Sequence, residues 1–190
     1  MTKLPALLVL GIFLVFTHQT VNAQNIDNGK KLFEEKCAKC HGLIGEISDY
    51  GNTLKPFPAK DLRTNLLTYR EMKFIIKYGL YRRAMTGKTD VLKDNDVDDI
   101  IAHIRTLKYD PDHKAGKKRY REVCSVCHGE DSKGKEWVHT PDLRESVLSK
   151  EEMAEIIRYG RHNTAMTPKR DVLTNIELAN IIGYLMSIRK

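Results

Sequence analysis

Apolar residues recur at helical spacing in two segments of the chain, and each segment is present twice. In the longer segment they stand at positions i, i+3, i+4 and i+7, the pattern of one buried helix face. These residues are Val97, Ile100, Ile101 and Ile104 in the first copy and Leu178, Ile181, Ile182 and Leu185 in the second. The shorter segment carries Met72, Ile75 and Ile76, repeated as Met153, Ile156 and Ile157. No comparable alternation indicates strands, so the pattern predicts an all-α fold.

Capping signals predict where these helices begin and end. In a capping box of the form Ser/Thr-x-x-Glu, the hydroxyl and the carboxylate bond to free backbone N–H groups of the first turn. The pairs with this spacing are Thr68 and Glu71, Ser149 and Glu152, and Thr174 and Glu177. Both shorter helices are predicted to end at a Tyr-Gly pair. A further helix in each copy is predicted over NGKKLFEEKCAKCH and over AGKKRYREVCSVCH.

The chain is an internal repeat of one unit. With an offset of 81 positions, residues 71–92 match residues 152–173 at 13 of 22 places. The cysteine motifs are 87 positions apart, so the first copy has six extra residues in the stretch GEISDYGNTLKPFPAK, which its glycines and prolines predict to be a loop. The predicted domains are residues 24–109 and 110–190. Cores of about 80 residues are marginally stable, so each domain is predicted to pack around an additional group.

The first 23 residues have the features of a secretory signal peptide. Lys3 precedes a 13-residue apolar run from Leu4 to Phe16, and Val21 and Ala23 are the small residues of a cleavage site. The alternative is an uncleaved membrane anchor, although a spanning helix needs about 20 apolar residues. The sequence therefore predicts export to the periplasm, with no stable membrane insertion after cleavage.

Charge narrows the classes of partner. Removal of Lys3 with the signal peptide leaves 31 basic and 25 acidic residues, a formal charge of +6 with both signs intermixed. The chain has neither an arginine-rich run nor a basic helical stripe, so no nucleic-acid partner is predicted. Redox partner proteins with acidic docking surfaces remain compatible with this charge.

All four cysteines lie in the two motifs CAKCHG and CSVCHG. The pattern Cys-x-x-Cys-His is the known sequence signature of covalent c-type haem attachment. It predicts two haem c groups, one held by Cys37, Cys40 and the iron ligand His41, and the other by the corresponding residues of the second copy. Those residues are Cys124, Cys127 and the iron ligand His128.

Three other readings of the cysteines fit less well. A zinc ribbon joins its cysteine pairs over about 15 to 20 residues, whereas the two pairs here stand in separate units. A thioredoxin-like motif needs a βαβ context, which the pattern does not predict. Two disulfides leave the repeated histidine unexplained.

Met85 and Met166 are the candidate second axial ligands. Electron-transfer haems commonly combine histidine with methionine. Both methionines stand in an Ala-Met-Thr sequence, six residues after the glycine that ends the preceding helix. The alternative is packing in the core, which suits Met72 and Met153 on the apolar helix faces. His103 is predicted to pack against the first helix.

The order of motif helix, loop, helix, methionine loop and final helix resembles class I cytochromes c, and the tandem arrangement resembles dihaem periplasmic cytochromes such as cytochrome c-four. The resemblance implies two tandem class I domains, each wrapped around one covalently attached haem. It implies that Gly29 and Gly116 allow close packing of the last helix. It also implies a proline whose carbonyl holds the ligand histidine: Pro141 in the second domain, and Pro56 or Pro58 in the first.

The expected function is therefore single-electron transfer between periplasmic or membrane redox partners, without catalysis. The alternatives are a dihaem enzyme, such as a peroxidase or a thiosulfate-oxidising enzyme, and an electron-transfer subunit of a larger respiratory complex. Arg82 and Arg83 precede Met85, where the second domain has Asn163 and Thr164. Two positive charges near the first haem predict that it has the higher potential, unless solvent screens them.

Overall fold

The computed structural model describes residues 24–190, so the predicted signal peptide lies outside the described residues. Within them, every named element is a helix, with one isolated β-bridge between Gly79 and Thr86. The first half contains α1 (Ile26–Lys36), α2 (Ala38–His41), α3 (Asp49–Thr53), α4 (Tyr69–Tyr78) and α5 (Asp94–Thr106). The second half contains α6 (His113–Val123), α7 (Ser125–His128), α8 (Lys150–Tyr159) and α9 (Asn175–Ser187). The predicted all-α architecture is confirmed over this range.

The helix termini follow the predicted signals. All three capping boxes form, with Thr68, Ser149 and Thr174 at the starts of α4, α8 and α9. Gly79 and Gly160 cap the ends of α4 and α8 with φ values of 75°. Local side-chain chemistry thus determines these boundaries.

The first and last helices of each domain cross at a glycine. A Cβ atom on Gly29 would lie 2.0 Å from the Asp99 carbonyl oxygen in α5, and one on Gly116 would lie 2.0 Å from that of Asn180 in α9. Only glycine permits this backbone approach, as the resemblance implied. Next to the first crossing, Phe33 and His103 pack with ring centroids 5.3 Å apart, which confirms the packing role of His103.

Each domain has its own hydrophobic core. The first core comprises Phe33, Met72, Ile76, Leu92, Val97, Ile100 and Ile101. The second core comprises Tyr120, Ile181, Tyr184 and Leu185, and a neighbouring cluster comprises Met153, Ala154, Leu178 and Ile182. Met72 and Met153 belong to these clusters, as their positions on apolar helix faces predicted.

Two segments differ from the predicted secondary structure. The motif helix is interrupted at Cys37, where φ is −123°, so α1 ends before the short α2 begins. The extra residues of the first domain include α3 rather than forming only a loop, because the Ser48 hydroxyl accepts a hydrogen bond from the Gly51 N–H and caps it. The corresponding part of the second domain contains the short 3₁₀ turns Glu136–Val138 and Leu143–Glu145.

The two halves contact each other. The linker side chain of Tyr109 donates a hydrogen bond to the Asn180 side-chain oxygen in α9 at 3.0 Å. A cavity of about 700 Å³ lies between the halves, bordered by Leu62 and Ile104 on one side and by Lys150 and Ile182 on the other. Within residues 24–190, the structure has no helix with the length and apolarity needed to cross a bilayer.

Candidate functional site

The two cysteine motifs adopt the same local structure. The N–H groups of Cys40 and His41 donate to the Cys37 carbonyl at 3.1 and 3.0 Å, and the equivalent bonds to the Cys124 carbonyl measure 3.2 and 3.0 Å. One helical turn therefore brings two thiols and an imidazole together in each domain, although the preceding helix has already ended. Gly42 and Gly129 then leave the turn with positive φ angles.

The thiols are free and their surroundings are apolar. Cys37 packs against the first core and Cys124 against the second. Burial raises the pKa of each of these two thiols to about 11, so both are protonated at neutral pH. A catalytic cysteine needs a lowered pKa, since the thiolate is its reactive form. These two thiols therefore suit covalent attachment of an apolar group better than nucleophilic catalysis.

His41 is held by a backbone carbonyl. Its Nδ1 lies 3.0 Å from the Lys60 carbonyl oxygen, and burial lowers the pKa of the ring. A neutral imidazole that donates from Nδ1 leaves its Nε2 lone pair free for a metal. The sequence interpretation placed this carbonyl at Pro56 or Pro58, whereas the structure has it at Lys60. Lys60 stands at the repeat position of Pro141, so the register of the repeat indicates this carbonyl, whereas the residue type does not.

His128 has different surroundings. Burial lowers the pKa of its ring, and its Nδ1 is buried without a hydrogen-bond partner among the described residues. The structure therefore does not show the expected bond to the Pro141 carbonyl. Nearby, the Thr140 hydroxyl donates to the Cys127 carbonyl at 2.7 Å, which ties the loop to the motif turn.

The two methionine loops share one backbone conformation. The Leu80 N–H donates to the Met85 carbonyl at 2.8 Å, and the Arg161 N–H donates to the Met166 carbonyl at 2.9 Å. Gly79 makes this closure possible, since a Cβ atom there would lie 2.6 Å from the Met85 carbonyl oxygen. Both methionine side chains are half-buried.

The structure associates Met85 with its cysteine motif more closely than it does Met166. Met85 and Cys37 both pack against the first core. Among the described residues, Met166 does not belong to the buried clusters that contact Cys124. In the first domain Met85 and the attachment residue Cys37 therefore share one apolar neighbourhood, whereas within residues 110–190 of the second domain Met166 and Cys124 do not share a cluster.

A contact that the sequence did not indicate joins two loops of the first domain. The Arg83 guanidinium carbon lies 3.2 Å from the centre of the Phe57 ring, which links the methionine loop to the segment with the extra residues. Thr164 stands at the equivalent position of the second domain. The stack therefore distinguishes the two methionine loops.

These residues fit a covalently bound haem. The protonated thiols lie beside apolar cores, one imidazole is oriented by a carbonyl, and the other leaves a buried nitrogen unsatisfied within the described chain. A haem would complete each core with the apolar surface of a large macrocycle. Sequence and structure thus both indicate haem as the group that each domain binds.

Two family models match the chain. Residues 26–108 match the cytochrome c family, and residues 111–185 match the family of subunit III of cbb3-type cytochrome c oxidase. The two matches cover the two halves of the described chain one after the other.

Similar proteins include an oxidase subunit, an enzyme and a cytochrome. The FixP subunit of a cbb3-type cytochrome c oxidase from Bradyrhizobium diazoefficiens is 28% identical over 135 residues, which are 63% of this chain and 44% of FixP. A thiosulfate dehydrogenase from Psychrobacter arcticus is 36% identical over 90 residues, 44% of this chain and 26% of that enzyme. Cytochrome c-553 from Desulfomicrobium norvegicum is 28% identical over 82 residues, 43% of this chain and 98% of the relative. The chain thus spans less than half the length of the first two relatives.

Proposed function

We propose, from the premise that the chain consists of two tandem cytochrome c domains that bind haem c covalently, that it carries single electrons between redox partner proteins. The proposed domains are residues 24–109 and 110–190, of the dihaem class I type, in a protein exported to the periplasm. The comparisons support electron transfer as the general role. When bound, haem c supplies a one-electron iron couple whose potential depends on its axial ligands and surroundings.

The proposed site residues divide into two equivalent sets. Cys37 and Cys40 attach the first haem, with His41 and Met85 as axial ligands. The second set is Cys124, Cys127, His128 and Met166. In the first domain, the Lys60 carbonyl orients His41. A methionine ligand raises the reduction potential relative to other common ligands, and two protein ligands leave an iron without an open position for substrate.

The observation that carries this proposal is the duplication of the motif turn and of the methionine loop. Both domains have the same motif turn and the same methionine loop, with closing hydrogen bonds of 2.8 and 2.9 Å. A dihaem enzyme needs at least one iron that can exchange a ligand, which favours divergence of one site. Here the loops that carry Met85 and Met166 share one backbone conformation.

The first domain also offers a surface that suits an acidic partner. Just before its segment with the extra residues, Leu43 and Ile44 are 66% and 59% exposed. The Lys39 ammonium lies 4.4 Å from the centre of the Tyr50 ring, so a cation stands beside exposed apolar surface. An apolar centre with basic neighbours favours brief docking of a protein that carries carboxylates.

A second candidate is an electron-transfer subunit of a larger respiratory complex. The match of residues 111–185 to the cbb3-type subunit III family and the likeness to FixP support it. An enzyme related to thiosulfate dehydrogenases is supported by one relative of which the chain covers 26%.

A spectroscopic redox titration of the purified holoprotein tests the proposal. We expect two one-electron transitions, a near-infrared methionine-to-iron band corresponding to two haems per chain, and no rapid binding of carbon monoxide. The variants Met85→Ala and Met166→Ala are the controls, because each should open one iron to carbon monoxide.

Rapid carbon monoxide binding by one iron of the unmodified protein would contradict the carrier and favour an enzyme. Assay with thiosulfate then tests the enzyme that the relative suggests. Co-purification with a membrane oxidase, combined with failure to obtain the chain alone, would instead favour the subunit.

A further inference from the structure

The second domain receives a side chain of the first domain in its hydrophobic cluster. Leu66, which lies between α3 and α4, packs against Met153, Ala154, Leu178 and Ile182. We call these four residues the socket. The contact is between residues at least 80 positions apart, so it belongs to the arrangement of the two domains rather than to either core.

Hydrogen bonds from α8 and α9 surround this contact. Arg158 is only 7% exposed, and its guanidinium donates to the Leu66 carbonyl at 2.6 Å and to the Asn65 side-chain oxygen at 3.3 Å. Asn175 donates to the same Asn65 oxygen at 3.2 Å. A buried guanidinium needs acceptors, because leaving its N–H groups unsatisfied is costly. The acceptors named here come from the first domain.

A further hydrogen bond lies at the edge of the contact. The Tyr159 hydroxyl donates to Glu71 at 3.0 Å, while the other oxygen of Glu71 completes the capping box of α4. The start of α4 is therefore attached to the end of α8. Together with Leu66 and Arg158, this bond joins the segment 65–71 to one face of the second domain.

The contact is not reciprocal. Val147 is the repeat counterpart of Leu66 and is 94% exposed. Lys77 is the counterpart of Arg158, and it forms an ion pair of 2.7 Å with Asp94, the counterpart of Asn175. Arg158 and Asn175 of the second domain therefore bond to the first domain. Their counterparts in the first domain, Lys77 and Asp94, bond to each other instead.

The first domain also lacks an open socket at the equivalent place. Three of its four equivalent residues are apolar, namely Met72, Val97 and Ile101, but Lys73 replaces Ala154. Lys73 pairs with Asp98 at 2.7 Å and donates to the Tyr69 hydroxyl at 3.1 Å. A charged and hydrogen-bonded group therefore occupies the position that would receive a leucine.

We propose that the segment 65–71 and the socket with Arg158 form a one-way dock that holds the two domains of one chain in a single fixed orientation. Since this extends the proposed electron carrier, its consequence is that electrons pass between the two haems within one chain at a constant separation. Arg158 is a positioning residue in this process. It acts through the orientation of the domains and not on either haem.

Matched variants of the full-length holoprotein test the dock. Leu66→Asp and Arg158→Gln should release the domains, whereas the counterpart changes Val147→Asp and Lys77→Gln should not. Ala154→Lys introduces the residue that the first domain carries at the same position, so it should block the socket. Small-angle X-ray scattering and calorimetric unfolding are the readouts.

We expect the unmodified protein and both controls to scatter as one compact particle. The three releasing variants should show a larger radius of gyration and two separate unfolding transitions, with unchanged haem spectra. Wild-type scattering and unfolding in holo Arg158→Gln and Ala154→Lys would overturn the dock. If Leu66→Asp cannot be produced as a protein with both haems bound, then Arg158→Gln and Ala154→Lys alone test the dock.

A kinetic measurement tests the consequence for electron transfer. After rapid reduction of one haem, the exchange between the haems should not depend on protein concentration in the unmodified protein. In Arg158→Gln this electron exchange should slow at least tenfold and become sensitive to viscosity, because the domains must diffuse together before an electron passes. An unchanged rate would overturn the positioning role of Arg158. Carbon monoxide binding by the unmodified protein would contradict the proposed carrier function, but it would not change the scattering result. Failure of the carrier proposal is therefore distinguishable from failure of the dock.

Discussion

The two domains are copies that have kept one set of features and changed another. Both retain the crossing glycine, the motif turn and the closed methionine loop, which attachment and packing of a haem require of each domain separately. They differ at Lys60 and Pro141 near the ligand histidine, and at Lys77 and Arg158 on the helix that faces the partner domain. The features kept in both copies are thus those that each haem site needs by itself. The residues that changed lie around the ligand histidine and in the contact between the domains.

Removal of one attachment motif is the strongest test of this independence. The double variant Cys37→Ser with Cys40→Ser should lose one haem and unfold the first domain, because a core of this size is marginal without its macrocycle. The variant Cys124→Ser with Cys127→Ser should do the same in the second domain. Mass spectrometry and far-ultraviolet circular dichroism measure both effects. Loss of both haems from a single double variant would show that the domains are not independent.

Glycine substitution tests the shared helix crossing. Gly29→Ala and Gly116→Ala each place a methyl group 2.0 Å from a backbone carbonyl oxygen, so the helices must separate. We expect each to lower the free energy of unfolding by about 3 kcal/mol, at the upper end of overpacking effects. Denaturant titration measures the change, and the exposed neighbours Lys31→Ala and Lys118→Ala should be nearly neutral. A small effect at one glycine alone would show that the crossings differ.

Exchange of the methionine ligands tests whether the sites are chemically equivalent. Met85→Ala should lower the potential of the first haem and remove half of the near-infrared band, and Met166→Ala should do so for the second haem. Spectroelectrochemical titration separates the two. If Met166→Ala leaves the band unchanged, then the second iron has another ligand, and the weaker packing of Met166 would be the first sign of it.

The arginine stack is predicted to make the potentials unequal. Arg83→Gln removes a positive charge held against Phe57 and should lower the potential of the first haem by less than the methionine exchange does. Thr164→Arg should raise the potential of the second haem. The redox titration that resolves both haems is the measurement, and a higher potential for the second haem in the unmodified protein would contradict the prediction.

The smallest predicted difference concerns two equivalent caps. Glu152→Ala removes a capping box, at a cost of about 1 kcal/mol. Glu71→Ala removes the same cap and also the acceptor of Tyr159, so it should cost about 1 kcal/mol more. Thermal unfolding of both variants measures the difference. The difference in stability between the two variants should disappear when Tyr159→Phe is combined with each of them. If the difference persists, then it arises from the capping box and not from the Tyr159 hydrogen bond.

Features that depend on residues close in the chain could be predicted from the sequence. The capping boxes join residues three positions apart, and the repeat shows them twice, so the starts of α4, α8 and α9 were predicted correctly. The interruption at Cys37 was not, because the cysteine spacing fits a continuous helix equally well. The Lys60 carbonyl was missed because any residue type supplies a carbonyl.

Contacts between the domains could not be predicted, because they depend on which faces meet. Lys77 and Arg158 look like a conservative pair in the repeat, yet one pairs within its domain and the other is buried against the next. The informative signal was the replacement of Ala154 by Lys73, a change from a small apolar residue to a charge on a helix face that otherwise keeps its pattern.

The ion pair of Lys73 with Asp98 has a consequence for the size of the assembly. Subunits that associate through two different faces can form an open chain, because each added copy leaves one face free for the next. Val147 is the exposed counterpart of Leu66 and would be the side chain that contacts a second molecule. In that molecule, the ammonium group of Lys73 lies at the position that Ala154 has in the socket. If the proposed dock holds the domains together, Lys73 therefore opposes the addition of a further copy, and we expect Lys73→Ala to favour self-association.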